Sequence, residues 1–306
     1  MLETYELLDR LELLYPTNSK LSYLRRAYVD KDLSSIFRLL PKTVSVGDTE
    51  DLRKAVCEQN LHSIFRLCED EDLRKFILED NTWKLWNLLE KYVDTQFVAA
   101  LKSFFVNNTT YDKDCFSRGQ LQSKIWLINE LKKLNLELGT VFLCAGWYGI
   151  LATMLFESKL TVDKIRSFDI DSSTVDIAET FNKPWFVEQW RFKALNQDIN
   201  NINYEEHVWQ YWSNANNRMS YPITDIPDTI INTSCEHINN FNSWYSKLPK
   251  NKLIILQANN FTELEEHVNT YKNIEDFDKA TPMNKVMLCD SLLLEKYTRF
   301  MKIGYR

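Results

Sequence analysis

Two glutamate–histidine pairs are the residues of this chain best suited to proton transfer. The first, Glu236-His237, ends the apolar run DTIINTSCEH, and the second, Glu266-His267, lies in the segment LEEHV. An imidazole titrates near neutral pH, so it can take a proton from a reacting group. Three roles stay open for these pairs: acid–base or substrate contact, metal binding, and structural hydrogen bonding. We assign Glu236, His237 and His267 to catalysis and assign no residue to a metal.

Cysteine chemistry is the alternative at the same position. Cys235 directly precedes Glu236, but a small cysteine in an apolar strand is more often a core residue than a nucleophile. The chain has 6 cysteines and 4 histidines, with no CxxC pair and no spacing typical of zinc ligands. This pattern predicts a reduced protein without a structural zinc site.

A second candidate site is the stretch CAGWYG, residues 144–149. The chain has only 6 glycines among its 306 residues, and two of them, Gly146 and Gly149, lie here at the end of an apolar run. Glycine permits a sharp turn and a close approach of the backbone to a ligand. In open α/β sheets, ligands bind at such turns, outside the carboxyl ends of the strands. The alternative is a tight strand–helix turn with no ligand.

Apolar strands and amphipathic helices alternate over residues 113–306. The predicted helices include 117–134 and WYGILATMLFES, and the predicted strands include TVFLCAG, KIRSFDID, RFKALNQDI, DTIINTSCEH and NKLIILQANNF. Such alternation predicts a Rossmann-like α/β domain with a doubly wound, mostly parallel sheet. The last two extended segments, KVMLCDSLLL and YTRFMKIGY, have no helix between them and predict a terminal β-hairpin.

The first 112 residues contain a repeated pattern. Residues 23–40, 51–68 and 72–89 align with one another, and each predicts a helix, a polar turn and a second helix. One such unit cannot bury its apolar face alone, so neighbouring units must stack. We therefore predict an all-α helical-repeat domain over residues 1–112. Two functions stay open for it: a docking surface for a protein partner or substrate, and a cap that only packs on the second domain.

The order of these features resembles the class I S-adenosylmethionine-dependent methyltransferases. CAGWYG resembles their first cofactor loop, SFDID places acids at the end of the second strand, LNQD follows the third strand, and a closing hairpin ends that fold. The resemblance covers residues 117–306. It implies a seven-stranded methyltransferase sheet and S-adenosyl-L-methionine as the cofactor. The loop departs from the family, because Cys144 or Ala145 replaces the usual acid and Trp147 or Tyr148 replaces a middle glycine.

The resemblance also implies roles for single residues. Asp169 would accept the hydrogen bonds of the ribose hydroxyls, with Asp171 as the second choice, and Asp198 would contact the adenine amino group. Arg118, followed by Gln122 and Lys124, is the candidate partner of the cofactor's carboxylate, because arginine offers a bidentate fork. The loop under the methionine part of the cofactor would consist of Cys144, Ala145, Gly146, Trp147, Tyr148 and Gly149.

The resemblance implies transfer of a methyl group, or of another group from the same cofactor, to an unidentified acceptor. The acceptor attacks a sulfonium in line and loses a proton, which suits a histidine base after the fourth strand. The alternative is a degenerate methyltransferase fold that serves as a binding or virion-assembly component. The segments TSCEHI, LQANNF and RFMKIG also resemble, loosely, methyltransferase-like proteins of tailed bacteriophages. A nucleotide-dependent enzyme of another Rossmann-like class is the third possibility, and the terminal hairpin counts against it.

Composition restricts the partners and the compartment. The net charge of −6 argues against strong sequence-independent nucleic-acid binding, which depends on basic side chains. The aromatic residues between the third and fourth strands, from Trp185 to Tyr221, favour a core or lid over a base-stacking platform. The acidic N-terminal segment does not resemble a signal peptide, and no apolar run is long enough to span a bilayer. We expect no membrane partner and a cytoplasmic location, in the host cytoplasm if the protein is viral.

Overall fold

The computed structural model describes residues 2–40, 49–68, 70–107, 109–213 and 216–306. It divides into two compact units, Met1–Gln122 and Ser123–Arg306. The division lies inside a long helix, Arg118–Lys133, whereas the change in composition placed the domain boundary between residues 112 and 113. The difference arises because this helix begins in the first unit and continues into the second.

The first unit is built from helices. They are α1 (Thr4–Leu14), α2 (Ser19–Val29), α3 (Leu33–Leu39), α4 (Thr49–Cys57), α5 (Leu61–Cys68), α6 (Glu71–Glu79), α7 (Thr82–Tyr92) and α8 (Gln96–Val106), followed by a 3₁₀ turn at Lys113–Phe116. Consecutive helices pack on each other, as α2 does on α3, α4 on α5 and α6 on α7. The predicted all-α region is confirmed, while its origin as a repeat array stays a prediction.

The polar turns inside the three aligned segments share one backbone conformation. The middle residue of each turn adopts a left-handed conformation, with φ of 51°, 52° and 50° at Lys31, Gln59 and Asp80. The residue that follows caps the next helix, since Asp32 accepts hydrogen bonds from two backbone N–H groups and Asn81 accepts one. These local features explain why one helix ends and the next begins where the sequence predicts a turn.

The second unit alternates strands and helices. After α9 (Arg118–Lys133) come β1 (Gly139–Cys144), α10 (Ile150–Glu157), β2 (Val162–Asp169), α11 (Thr174–Phe181), α12 (Lys183–Val187), β3 (Phe192–Asn196), β4 (His207–Trp209), β5 (Trp212–Ser213), β6 (Arg218–Met219), β7 (Ile223–Asp225), β8 (Thr229–Asn232), α13 (Phe241–Ser246), β9 (Leu253–Asn259), α14 (Ile274–Ala280), β10 (Lys285–Leu293) and β11 (Thr298–Tyr305). A 3₁₀ turn at Cys235–His237 follows β8.

The main sheet has seven strands in the order β10-β11-β9-β8-β1-β2-β3. The five strands from β9 to β3 pair in parallel, and β11 pairs antiparallel to both β9 and β10. Strand β1 lies between β2 and β8, so the chain order reverses there, and this switch point is where open α/β sheets bind ligands. The predicted seven-stranded α/β sheet with a terminal hairpin is confirmed.

The connection between β3 and β8 has no counterpart in the predicted elements. Two small antiparallel pairs, β4 with β7 and β5 with β6, occupy it. A buried ion pair ties this segment to the sheet, because Nε of Arg166 on β2 lies 2.5 Å from the Asp225 carboxylate on β7. Trp209 donates its indole N–H to the same carboxylate at 2.8 Å. Strands of two or three residues carry too little periodicity to be predicted.

One face of the sheet carries a large apolar core. Phe142 and Phe168 from β1 and β2 pack there with Ile230 and Ile254 from β8 and β9, and helix α13 contributes Trp244. This core fixes the carboxyl ends of β1, β2 and β8 relative to each other. Across the described ranges, no helix combines the length and apolarity that a bilayer crossing requires.

Candidate functional site

The two glycines of the loop after β1 are required for different reasons. Gly149 has φ of +67°, and a Cβ atom there would lie 2.7 Å from Nδ2 of Asn182. Gly146 has no unusual φ, but a Cβ atom would lie 2.0 Å from Oγ of Ser167 on β2. The loop therefore turns sharply at Gly149 and lies against β2 at Gly146. A turn this close to its neighbouring strand requires glycine at both positions.

Two further loop residues adopt the left-handed conformation without being glycine. Ala145 has φ of 51° and Trp147 has φ of 48°, so left-handed residues alternate along the loop up to Gly149. An L-residue pays roughly 1–2 kcal/mol for this conformation, and such strain often marks functional loops. The prediction that the helix starts with Trp147 and Tyr148 is wrong. Helix α10 begins at Ile150, because a left-handed residue cannot continue a right-handed helix.

Asp169 at the end of β2 holds this loop in place. Its Oδ2 accepts the backbone N–H of Trp147 at 2.8 Å, and its Oδ1 accepts that of Asp171 at 3.0 Å. Burial raises the pKa of Asp169, and backbone hydrogen bonds from Asp171, Trp147 and Ile170 oppose that shift. A carboxylate offers about four acceptor positions, so the backbone donors leave acceptor capacity for a ligand. The predicted ribose-binding acid thus lies beside the predicted loop.

The residues after Asp169 present an apolar surface and a second acid. Ile170 is 75% exposed, which is unusual for an isoleucine next to the core. Asp171 is exposed, and hydrogen bonds from the hydroxyl and backbone N–H of Ser173 lower its pKa. Asn196 at the end of β3 donates to the carbonyls of Asp169 and Ile170, which fixes this segment.

Asp198, the predicted adenine contact, has local partners in the structure. Its Oδ1 accepts the backbone N–H of Asn200 at 2.8 Å and the side-chain amide of the same residue at 3.0 Å. Its Oδ2 accepts from the amide of Asn201 at 3.3 Å. Asp198 therefore stabilises the turn after β3, and its role as an adenine contact stays a prediction.

The side chain of Cys144 lies in the core. Its Sγ is 3.5 Å from the hydroxyl of Tyr204, which also accepts the indole N–H of Trp244 at 2.6 Å. Burial raises the pKa of Cys144 to about 12. This geometry leaves only the Cys144 backbone for contact with a ligand at the loop. The next aromatic residues, Trp147 and Tyr148, stack on each other with ring centroids 5.0 Å apart.

Arg118 belongs to the first unit. Its Nη1 lies 2.6 Å from Oδ2 of Asp9 in helix α1. Gln122 ends the same unit, and Lys124, the second residue of the other unit, is buried. The structure therefore gives Arg118 an acidic partner of its own, and contact with a cofactor carboxylate stays a prediction.

The predicted catalytic residues lie together beyond the ends of β8 and β9. Glu236 is only 2% exposed and forms an ion pair with Arg299 of β11. Its Oε1 also accepts the side-chain amide of Asn259 at 2.7 Å, and Arg299 donates to the carbonyl of Thr233 at 2.9 Å. The second carboxylate oxygen of Glu236, Oε2, is buried and has no hydrogen-bond partner.

The two histidines lie next to this carboxylate. The ring centroids of His237 and His267 are 4.6 Å apart, and the rings are nearly perpendicular. His237 is exposed, yet desolvation by the surrounding protein lowers its pKa against the opposing effect of Glu236. Nδ1 of His267 lies 2.6 Å from the carbonyl oxygen of Phe261. The second glutamate, Glu266, is exposed.

Cys235 is unsuited to nucleophilic attack. Its thiol is fully buried and lies 3.4 Å from the carbonyl oxygen of Asn232, to which it donates. Burial raises its pKa well above the usual range. A protonated, inaccessible thiol is a poor nucleophile, so the expected apolar core role fits the structure.

Sequence reasoning missed the residues that support this cluster. Asn259 and Arg299 hold the Glu236 carboxylate, and Asn269 donates to the carbonyl of Cys235 at 3.1 Å. The sequence could have indicated Arg299, because it is the single arginine in the predicted strand YTRFMKIGY. A charged residue in a buried strand needs a partner, but the sequence alone does not say which one.

The aromatic residues of the connection between β3 and β8 divide into two groups. Trp190 packs against Tyr211 and Trp209, with ring centroids 4.5 Å and 6.0 Å apart. Trp212 and Tyr221 are 55% and 78% exposed. In the first group Trp209 is buried, whereas Trp190 and Tyr211 are half-buried, and the second group lies on the surface.

Comparison with known proteins found similarity to solved structures but not to family models or curated sequences. No protein-family model and no curated protein sequence matches the chain. Among solved structures, the chain is similar to magnesium protoporphyrin IX methyltransferase ChlM from Synechocystis PCC 6803 with bound SAM, at 14% identity over 60% of this chain and 78% of that one, with a TM-score of 0.40. It is also similar to the N-methyltransferase NodS from Bradyrhizobium japonicum WM9 in complex with S-adenosyl-L-homocysteine. The identity is 7% over 69% of this chain and 98% of that one, with a TM-score of 0.44. At these values the likeness extends to the general α/β arrangement and to nothing finer.

Proposed function

We propose that the chain is an S-adenosylmethionine-dependent methyltransferase with its cofactor at the carboxyl ends of β1 and β2. The observation that carries the proposal is the glycine loop 145–149 tied to the half-buried Asp169 carboxylate at the switch point of the sheet. Neither the loop nor the acid alone would be specific. The resemblance implies a loop after β1, an acid after β2 and a closing hairpin, and the direct hydrogen bond between the loop and the acid supports the proposal.

The local chemistry fits an adenosyl group. The Asp169 carboxylate keeps acceptor capacity beyond its backbone donors, and the adjacent ribose hydroxyls supply donors. Those donors would also compensate the burial that raises the pKa of Asp169. The exposed Ile170 beside it offers an apolar surface to a planar base. In this proposal the loop residues Gly146–Gly149 lie under the methionine part of the cofactor.

The acceptor side of the site is assigned to Glu236, His237 and His267. A methyl acceptor forms a new bond to the methyl carbon as the sulfonium becomes a thioether, and the acceptor's proton must leave. A histidine nitrogen can take that proton directly, or an ion held by the three side chains can promote its loss. The cluster lies just beyond β8, the strand that neighbours β1. This position supports the assignment.

The finer parts of the sequence interpretation remain proposals. They are the identity of the acceptor, transfer of a group other than methyl, a protein partner on the helical unit, the bacteriophage resemblance and the cytoplasmic location. No observation favours the alternative of a binding or virion-assembly component, so we propose the enzyme.

Isothermal titration with S-adenosylhomocysteine tests the cofactor site. We expect binding to the unmodified chain and at least about 10-fold weaker binding to Asp169→Ala, because hydrogen bonds to a charged group contribute about 1.5–3 kcal/mol. Asp171→Ala is the matched control, since Asp171 is exposed and two residues away, and it should bind as the unmodified chain does. Absence of binding to the unmodified chain, or equal loss in both variants, would contradict the proposal.

A further inference from the structure

We propose that Glu236, His237 and His267 form a binding site for a divalent transition-metal ion, with Zn²⁺ the best match to their donor atoms. One ligand atom from each residue lies within 4.8 Å of the other two. Two imidazole nitrogens and one carboxylate oxygen suit zinc and its neighbours among the first-row metals. Magnesium and calcium prefer a shell made of oxygen atoms, so the histidines disfavour them.

The carboxylate provides the first independent sign of a ligand. Oε1 of Glu236 is occupied by Arg299 and Asn259, whereas Oε2 is buried without any hydrogen-bond partner. Leaving a buried carboxylate oxygen unpaired is costly, so such an atom needs an explanation. A bound cation on the histidine side would satisfy Oε2 while Arg299 and Asn259 keep the carboxylate fixed.

The orientation of His267 provides the second sign. Its Nδ1 faces the carbonyl oxygen of Phe261 at 2.6 Å, and a carbonyl can only accept a hydrogen bond. The proton must therefore be on Nδ1, which leaves the lone pair on Nε2. Metal-binding histidines are held in the same way, with the other ring N–H donated to a carbonyl or carboxylate.

The spacing requires only a small adjustment. Bonds from zinc to nitrogen or oxygen are about 2.0–2.2 Å long, so two ligands of one ion lie at most about 4.4 Å apart. The three ligand atoms all lie within 4.8 Å of one another, so they need to approach by at most a few tenths of an ångström. His237 is exposed, so its ring can move by that amount while Glu236 stays fixed. Three protein ligands leave further coordination positions for water or for an oxygen-bearing molecule.

Metal binding and direct proton acceptance exclude each other at these nitrogens. An ion would occupy the lone pairs that an imidazole base needs, so the roles are distinguishable by experiment. The metal proposal concerns the three side chains alone and does not depend on the cofactor site at Asp169. Its failure would leave the S-adenosylhomocysteine titration unaffected, and the reverse also holds.

Zinc titration of the full chain tests the proposal. Chain freed of metal with a chelator is titrated with Zn²⁺ by calorimetry, and its melting temperature is recorded with and without Zn²⁺. We expect one tight site in the unmodified chain and an increase in melting temperature, since an ion that binds only the folded state stabilises it. In His237→Ala/His267→Ala we expect Kd to rise at least about 10-fold and the increase to disappear.

Controls separate this site from incidental zinc binding. His62→Ala removes an exposed histidine of the first unit and should leave the zinc affinity unchanged. Both histidines of the double variant lie at or near the surface, so the variant should fold, which its melting temperature without zinc verifies. Equal zinc affinity in the unmodified chain and the double variant would overturn the proposal. So would the absence of tight binding in the unmodified chain.

Discussion

The three turns of the helical unit and the loop after β1 hold their left-handed residues in different ways. In the helical unit, Lys31, Gln59 and Asp80 occupy turns whose following residues cap the next helix. In the α/β unit, Ala145 and Trp147 adopt the same conformation in a loop held by Asp169. The helical turns are closed by local capping, whereas the loop depends on a carboxylate from another strand. Strain fixed by distant contacts is characteristic of binding sites, and local capping is characteristic of structural turns.

Buried polar atoms without partners show the same contrast. In the described part of the chain, the hydroxyl of Tyr92 is the one such atom in the helical unit. The α/β unit contains the others, which belong to Gln197, His207, Asn232, Glu236, Gln257 and Arg299. Of these, Asn232 and Glu236 lie at or just beyond the carboxyl end of β8. Two of these six residues therefore lie beside the proposed acceptor site.

Removal of a buried charge should distinguish the units most strongly. We expect Asp225→Asn to lower the free energy of unfolding by about 3–5 kcal/mol, because Arg166 would be left buried without its partner. The matched change in the helical unit, Glu90→Gln, breaks an exposed pair with Lys102 and should cost less than about 1 kcal/mol. Urea unfolding of both variants measures the difference. Similar losses in the two variants would contradict the contrast.

The same buried pair predicts a dependence of stability on pH. Burial would raise the pKa of Asp225, but the hydrogen bond and charge of Arg166 outweigh this, so the folded-state pKa lies below the usual value. The contribution of a carboxyl with a depressed pKa is present above its unfolded pKa of about 3.9 and is lost as the pH falls through the folded value. The stability difference between the unmodified chain and Asp225→Asn should therefore shrink below about pH 4. If the stability difference between the unmodified chain and Asp225→Asn is the same at pH 3 as at neutral pH, the pair does not cause this pH dependence.

Substitutions at left-handed positions should have different effects on stability in the loop after β1 and in a helical turn. Gly149→Ala should destabilise by about 2 kcal/mol or more, because the new Cβ combines a left-handed residue with a close contact to the buried Asn182. Gln59→Gly in an exposed helical turn should be neutral or stabilise by up to about 1 kcal/mol. Thermal unfolding checks both. Destabilisation by Gln59→Gly as large as that by Gly149→Ala would remove the distinction between loop and turn.

Much of the fold could be predicted from the sequence because its signals are local. The apolar run of β1, the polar turns at Lys31 and Asp80, and the helix-free connection between β10 and β11 are visible in periodicity and turn residues. The cluster of Glu236, His237 and His267 was also predicted, since the ends of neighbouring parallel strands meet at one edge of a sheet.

The unpredicted parts depend on contacts between distant residues. The partnership of Arg299 with Glu236, and that of Arg166 with Asp225, joins residues far apart in sequence. The short pairs β4–β7 and β5–β6 have too few residues for a periodic signal. The left-handed conformations of Ala145 and Trp147 follow from the Asp169 hydrogen bond and the close contact with β2, not from residue preference.

Hydrogen exchange with bound S-adenosylhomocysteine tests the central claim most directly, because it locates the ligand on one of the two units. The full chain is exchanged with and without the compound, and peptides are compared by mass spectrometry. We expect slower exchange in peptides that contain residues 144–149 and 169–171, and no change in helices α1–α8. No protection at the loop and Asp169, or protection confined to the helical unit, would contradict the proposed cofactor site.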